Sequence, residues 1–363
     1  MKTNYNFRFK FNLLIHRFKT RKNTIFPNTD NPVIVQKTNK SRREMIKNLA
    51  AIPLLGTVFF GMAKKTGWAS SAENTLQRIT AGTASPGLKD VSRLKEQVPA
   101  GKIGKLEISR LIPGGNLVAG FVYSRDLLWA SALVKEYFTD EKVIEILFLS
   151  EACGINTTIM RTDEQTIRIL KEYRRRGGKI QWIAQTYPKG DDFTNIKMAV
   201  DAGAVGGFAQ GGNAETYLKD NHVDLLGKAI EYTRSQGLIS GTAAHVIDVP
   251  KACLTNGIVP DFFMKTFHHH NYFSAPAPDR KGYSWCDEPE ETAAFFKDCK
   301  IPWIAYKVLA AGAIKPADGF RYAYENGADF TCVGMFDFHV VDNSIATVEV
   351  LNSSLKRERK WYT

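Results

Sequence analysis

Two lysines and a set of histidines stand where short apolar runs of this chain end. Lys265 lies in the run 261–267, Lys307 in the run 302–309, and His245 closes the run 239–245. His268, His269 and His270 follow Lys265 closely, and Asp337 and His339 follow the run 329–335. A buried lysine beside a second cation loses its proton near neutral pH and can then attack a carbonyl carbon. On that chemistry Lys265 is the expected nucleophile or base, Lys307 the second cation, and His245 and His268 the groups that move protons. A metal offers another route. Imidazole and carboxylate from His245, His268, His270, Asp337 and His339 would suit a divalent zinc, manganese or iron ion, which would polarise a carbonyl or acidify water.

The elements that must position these groups repeat. From about residue 106, apolar runs at 108–115, 156–160, 179–185, 204–209, 239–245, 261–267, 302–309 and 329–335 alternate with amphipathic stretches, the pattern of parallel strands joined by helices. Val143, Ile146, Leu147 and Ser150 recur at helical spacing, as do Ile167, Leu170 and Tyr173. Glycines at 154, 177, 203, 237, 257 and 327 are placed to close helices. Eight such units over about 250 residues predict an α/β fold, a (β/α)8 TIM barrel, in which chemistry belongs at the C-terminal strand ends. Those ends carry Gly114-Gly115-Asn116, Arg161, Gln185, Gln210 and the lysines and histidines above. Gly312 and Ala313 after strand 7, and Gly334 and Met335 in strand 8, would aim backbone N–H groups at an anion, with small residues permitting close approach.

Three segments carry resemblances. Pro260-Asp261-Phe262-Phe263-Met264-Lys265-Thr266, with Tyr306-Lys307 ahead of Ala311-Gly312, resembles strands six and seven of deoxyribose-phosphate-type class I aldolases. That resemblance implies an imine on Lys265. Ile108-Ser109-Arg110-Leu111 with Gly114-Gly115, then Gly154-Ile155-Asn156-Thr157, resembles the opening of aldo/keto reductases. That family's hydride transfer needs Asp, Tyr, Lys and His at strand ends, where this chain has residues near Ile159, then Gln185 and Gln210. An NAD(P) cofactor is accordingly the less expected one. Residues 106–340 as a whole resemble barrel proteins of unassigned activity that carry a twin-arginine signal.

The chain has 363 residues, 44% hydrophobic and 24% charged, with a formal charge of +12. Residues 1–72 hold 14 Lys/Arg against Asp30 and Glu44, so the remainder is neutral. A nucleic-acid footprint needs clustered positive excess on the folded body, and that body has no net excess. Ser41-Arg42-Arg43-Glu44-Met45-Ile46-Lys47 resembles the twin-arginine consensus and precedes an apolar stretch, Leu49 to Ala63, of signal length rather than spanning length. Expected organisation is therefore an N-terminal extension and export signal over 1–72, a linker over 73–105 and a single barrel domain over 106–363. The twin-arginine machinery is the expected partner, and the destination is the periplasm or the outer side of the inner membrane. Five cysteines with no CxxC pair suggest neither a disulfide framework nor a zinc knuckle.

The functional expectation is an exported enzyme of lyase or isomerase type acting on a small carbonyl or carbohydrate-like substrate. Two alternatives stand beside it: an aldo/keto-reductase-like oxidoreductase without the usual tetrad, and a non-enzymatic sugar-binding barrel using Tyr272, Phe273, Tyr283 and Trp285.

Overall fold

A computed structural model describes residues 89–122, 127–272, 275 and 286–362. The expected export signal over 1–72, residues 73–88 of the expected linker, Phe273, Tyr283 and Trp285 lie outside the described residues.

Among the described residues the first strands are a hairpin. β1 (Ala100–Ile103) pairs antiparallel with β2 (Leu106–Ser109). Part of the stretch read as linker is thus strand, and the apolar run 108–115 divides between β2 and the short β3 (Leu111–Pro113). The hairpin closes the bottom of a barrel: Ile103 and Ile108 are fully buried and cluster with Ile112, Ile183, Phe262 and Phe330 inside it.

After β3 the predicted alternation appears. The elements are α1 (Leu128–Tyr137), α2 (Asp140–Ala152), β4 (Thr157–Arg161), α3 (Glu164–Arg175), β5 (Gln181–Thr186), α4 (Thr194–Asp201), β6 (Gly206–Ala209), α5 (Gly211–Lys219), α6 (Asp224–Ser235), β7 (Ile239–Ala244), α7 (Asp248–Thr255), β8 (Phe262–Thr266), α8 (Pro289–Asp298), β9 (Trp303–Tyr306), α9 (Pro316–Glu325), β10 (Phe330–Val333) and α10 (Asp337–Asn352). β3 through β10 form one parallel eight-stranded sheet in the order β3-β10-β9-β8-β7-β6-β5-β4. It closes where Gly114 bridges Ile159 and the Gly115 N–H donates to the Ile159 carbonyl at 2.7 Å. A Cβ on Gly115 would sit 2.9 Å from the Met160 Cα, so closure at this seam requires glycine. The chain is an α/β TIM barrel. The six predicted helix-closing glycines take φ between 71° and 106°, the left-handed cap expected of them.

Strand side chains alternate between the two faces of the barrel. Phe262 and Met264 face its interior, while Phe263 and Phe267 belong to the layer under the helices. The C-terminal segment locks the bottom: Asp329, fully buried, receives Arg359 at 2.6 Å and Arg357 at 3.1 Å, and its Oδ2 also accepts the Trp303 N–H.

Candidate active site

The C-terminal mouth opens into a cavity of about 530 Å³. Its floor is the inner barrel face, including Ile159, Phe208, Met264 and Cys332. Its polar wall carries Gln185, Gln210, His245 and Lys307.

His245 follows β7 directly and is held by a residue the sequence reading did not single out. Glu215 sits on α5, which Gln210 caps by accepting the Asn213 N–H at 2.9 Å. Gly211 and Glu215 are four apart, hence on one face of that helix. A Cβ on Gly211 would lie 3.1 Å from the His245 ring and 3.2 Å from the Tyr306 hydroxyl, so glycine lets both approach. Glu215 Oε1 then takes the His245 backbone N–H at 2.5 Å and its Nδ1 at 3.0 Å. A carboxylate only accepts, so Nδ1 carries the proton and Nε2 keeps a lone pair. Burial pushes the Glu215 carboxyl up, but the bonds from His245 outweigh it and leave the group below its ordinary value. Burial pushes His245 down, Glu215 opposes this, and the charge of Lys307 lowers it further. The balance favours the neutral imidazole, the form competent as a base.

Lys307 follows β9 in a loop of unusual backbone. Lys307, Ala310 and Ala311 have φ of 59°, 45° and 58°, a region that costs a side-chain-bearing residue about 1–3 kcal/mol. Such strain persists where the surrounding structure dictates it, and here it accompanies a lysine that lines the cavity. Burial, and more weakly the charge of Lys265, brings the Lys307 amine down to about 6, with Glu215 opposing.

Lys265 lies elsewhere, and this corrects the sequence expectation. It stands between the inward-facing Met264 and Thr266, so the strand alternation sends it into the helix-facing layer. There it is fully buried, donates to the Thr266 carbonyl at 3.0 Å and lies 3.9 Å from Cys286 Sγ. Lys265 therefore does not line the cavity, as the resemblance to the aldolase strand would have it do. His268 shares that outer region: its Nε2 accepts the Cys286 N–H at 3.2 Å, and burial drives it down to about 4. His270 donates to the Cys286 carbonyl at 2.6 Å. These two histidines hold the backbone at Cys286.

The proposed metal ligands are likewise dispersed. Asp337 pairs with Lys142 at 2.8 Å, and with Lys89 and Tyr137. His339 lines the cavity and packs edge-on against Phe338. Among the described residues no three His, Cys, Asp or Glu side chains come together as a ligand set. Of the anion residues, Gly312, Ala313 and Gly334 line the cavity, whereas Met335 is buried in the outer layer. The Gly312 and Ala313 N–H groups donate within their own turn, to Leu309 and Ala310, so they are not the anion donors expected. Lys315 lines the cavity in the same loop.

No protein-family model matches this sequence, and no curated protein matches it. Solved structures do resemble the fold. Two structures assigned to the aldo-keto reductases, both from Pseudomonas aeruginosa, superpose with TM-scores of 0.51 and 0.52 at 14% and 13% identity, each over 72% of this chain and 99% and 100% of theirs. A truncated 3-deoxy-D-arabino-heptulosonate 7-phosphate synthase from Thermotoga maritima matches at 12% identity and a TM-score of 0.45, over 72% of this chain and 95% of its own. At such identities the likeness is one of architecture.

Proposed function

We propose that this barrel is an enzyme of lyase or isomerase type that activates a small carbonyl substrate through Lys307, with the His245–Glu215 pair moving the proton. The observation that carries the reading is the meeting, on one cavity, of a buried lysine whose amine is brought down to about 6 and an imidazole oriented by Glu215. The Lys307 amine adds to the carbonyl carbon, and loss of water leaves a protonated imine. That cation withdraws electrons from the neighbouring carbon. His245 Nε2 accepts a proton from this carbon, or from a hydroxyl one carbon further when a carbon–carbon bond breaks, and the imine nitrogen keeps the electron pair as an enamine. Return of the proton and hydrolysis release product and free amine. Glu215 fixes the imidazole tautomer and stabilises the imidazolium that forms.

Hydride transfer is less well supported. The strand ends that a reductase would use carry Ile159, Gln185 and Gln210, none of which exchanges a proton.

The test is proton exchange in heavy water. With hydroxyacetone as probe, wild-type protein is expected to exchange protons beside the carbonyl, and Lys307→Met and His245→Ala to lose that exchange. Exchange that survives in Lys307→Met would refute the imine.

A further inference from the structure

Behind two of the rings that line the cavity stands a cation outside the catalytic wall. Arg161 ends β4, two residues beyond the cavity-lining Ile159 and therefore on the same inward face. Its guanidinium lies 5.0 Å from the centre of the Phe121 ring and 5.2 Å from that of Tyr187, and both rings line the cavity. The Arg161 Nε is buried and makes no hydrogen bond among the described residues. That Nε forms an ion pair with Asp163 Oδ2 at 3.7 Å, while Asp163 Oδ1 accepts the Thr166 N–H to cap α3. Two aromatic faces hold a planar guanidinium in one orientation, which lowers the ordering needed for a ligand to meet its fork.

The charge of the cavity points the same way. Lys315 lines it, and none of its described lining residues is Asp or Glu. Glu215, beside it, is committed to His245. A concave site of one sign concentrates ligands of the other.

We infer that the substrate is a carbonyl compound bearing a carboxylate, and that Arg161, clamped between Phe121 and Tyr187, grips this carboxylate with both arms of its fork. The inference rests on the imine reading for the carbonyl, but not for the carboxylate. A planar carboxylate matches the guanidinium fork in a way that a point cation does not reproduce. The neutral substrate end would then lie toward the apolar floor, with the carbonyl between Arg161 and the His245–Lys307 wall.

The experiment compares borohydride trapping rates for pyruvate, hydroxyacetone and dihydroxyacetone phosphate, in wild type, Arg161→Met and Arg161→Lys. Wild type is expected to favour pyruvate over hydroxyacetone. The ratio should fall by about tenfold to a hundredfold in Arg161→Met, the range for a lost charge-assisted contact, and Arg161→Lys should recover only part of it. An unchanged ratio overturns the assignment. So does a loss confined to dihydroxyacetone phosphate, which would make Arg161 a phosphate contact. Binding of lactate, which has the carboxylate but no carbonyl, is measured in parallel by calorimetry. If no probe is trapped and lactate binding still depends on Arg161, the imine fails and the carboxylate site stands. If trapping occurs but lactate binds wild type and both variants alike, the carboxylate site fails and the imine stands.

Discussion

Replacing Lys307 by methionine should stabilise the protein while removing its chemistry. The amine has its ordinary value, 10.5, in the unfolded chain and about 6 in the fold, chiefly because it is buried. Between those two values the unfolded chain binds a proton that the folded one does not. The wild type therefore gains stability as pH rises through this window, and the full penalty is present below pH 6. At about 1.4 kcal/mol per unit, the burden is about 5 kcal/mol at pH 7 and about 2 kcal/mol at pH 9. Methionine keeps the length and apolar stem of lysine without the charge. Urea unfolding of wild type and Lys307→Met at both pH values measures the difference directly. The variant should be the more stable, by several kcal/mol at pH 7 and by visibly less at pH 9. Equal stability, or a gain independent of pH, would mean that Lys307 is solvated and charged, and the nucleophile assigned to it would be lost.

Other consequences are open to measurement. Glu215→Gln leaves the His245 ring without its carboxylate, so hydroxyacetone proton exchange should fall by roughly a hundredfold, with trapping at Lys307 reduced far less. Lys265→Met should retain proton exchange, because that side chain faces the helices; its loss in a variant shown by melting to be folded would return Lys265 to the site. Asp329→Ala strands Arg357 and Arg359 and should destabilise the fold by about 3–5 kcal/mol, read as a lower urea midpoint. Gly211→Val forces a branched side chain into the space now held by the His245 ring and the Tyr306 hydroxyl, and should suppress exchange without unfolding the barrel.

Strand positions were legible because a parallel barrel announces itself as repeated apolar runs between amphipathic helices. All eight predicted runs overlap observed strands. The first was blurred because β2 and β3 adjoin with only Arg110 between them, and one apolar run hides two strands of different sheets. The phase of a strand was harder to read. Parallel barrel strands are buried on both faces, so Phe262-Phe263-Met264-Lys265-Thr266 gives no polar alternation to say which way Lys265 points. The aldolase resemblance pointed across that gap to Lys265, which does not line the cavity. His245 and Lys307, which line the cavity, were legible because each falls where a strand ends. Glu215 was missed because it lies on a helix, six residues past the end of β6, where acidic residues are common on solvated faces. The spacing Gly211 to Glu215, one turn of α5, was the available signal. Arg161 was visible as a strand end, but its two aromatic partners come from the loops after β3 and β5, which no local pattern links.

The most direct test of the account is to reduce the protein with borohydride in the presence of hydroxyacetone, digest it and locate the added mass. The account predicts the adduct on the peptide bearing Lys307, absent from Lys307→Met and present in Lys265→Met. An adduct on Lys265, or wild-type protein that remains unmodified with every carbonyl probe, would contradict it.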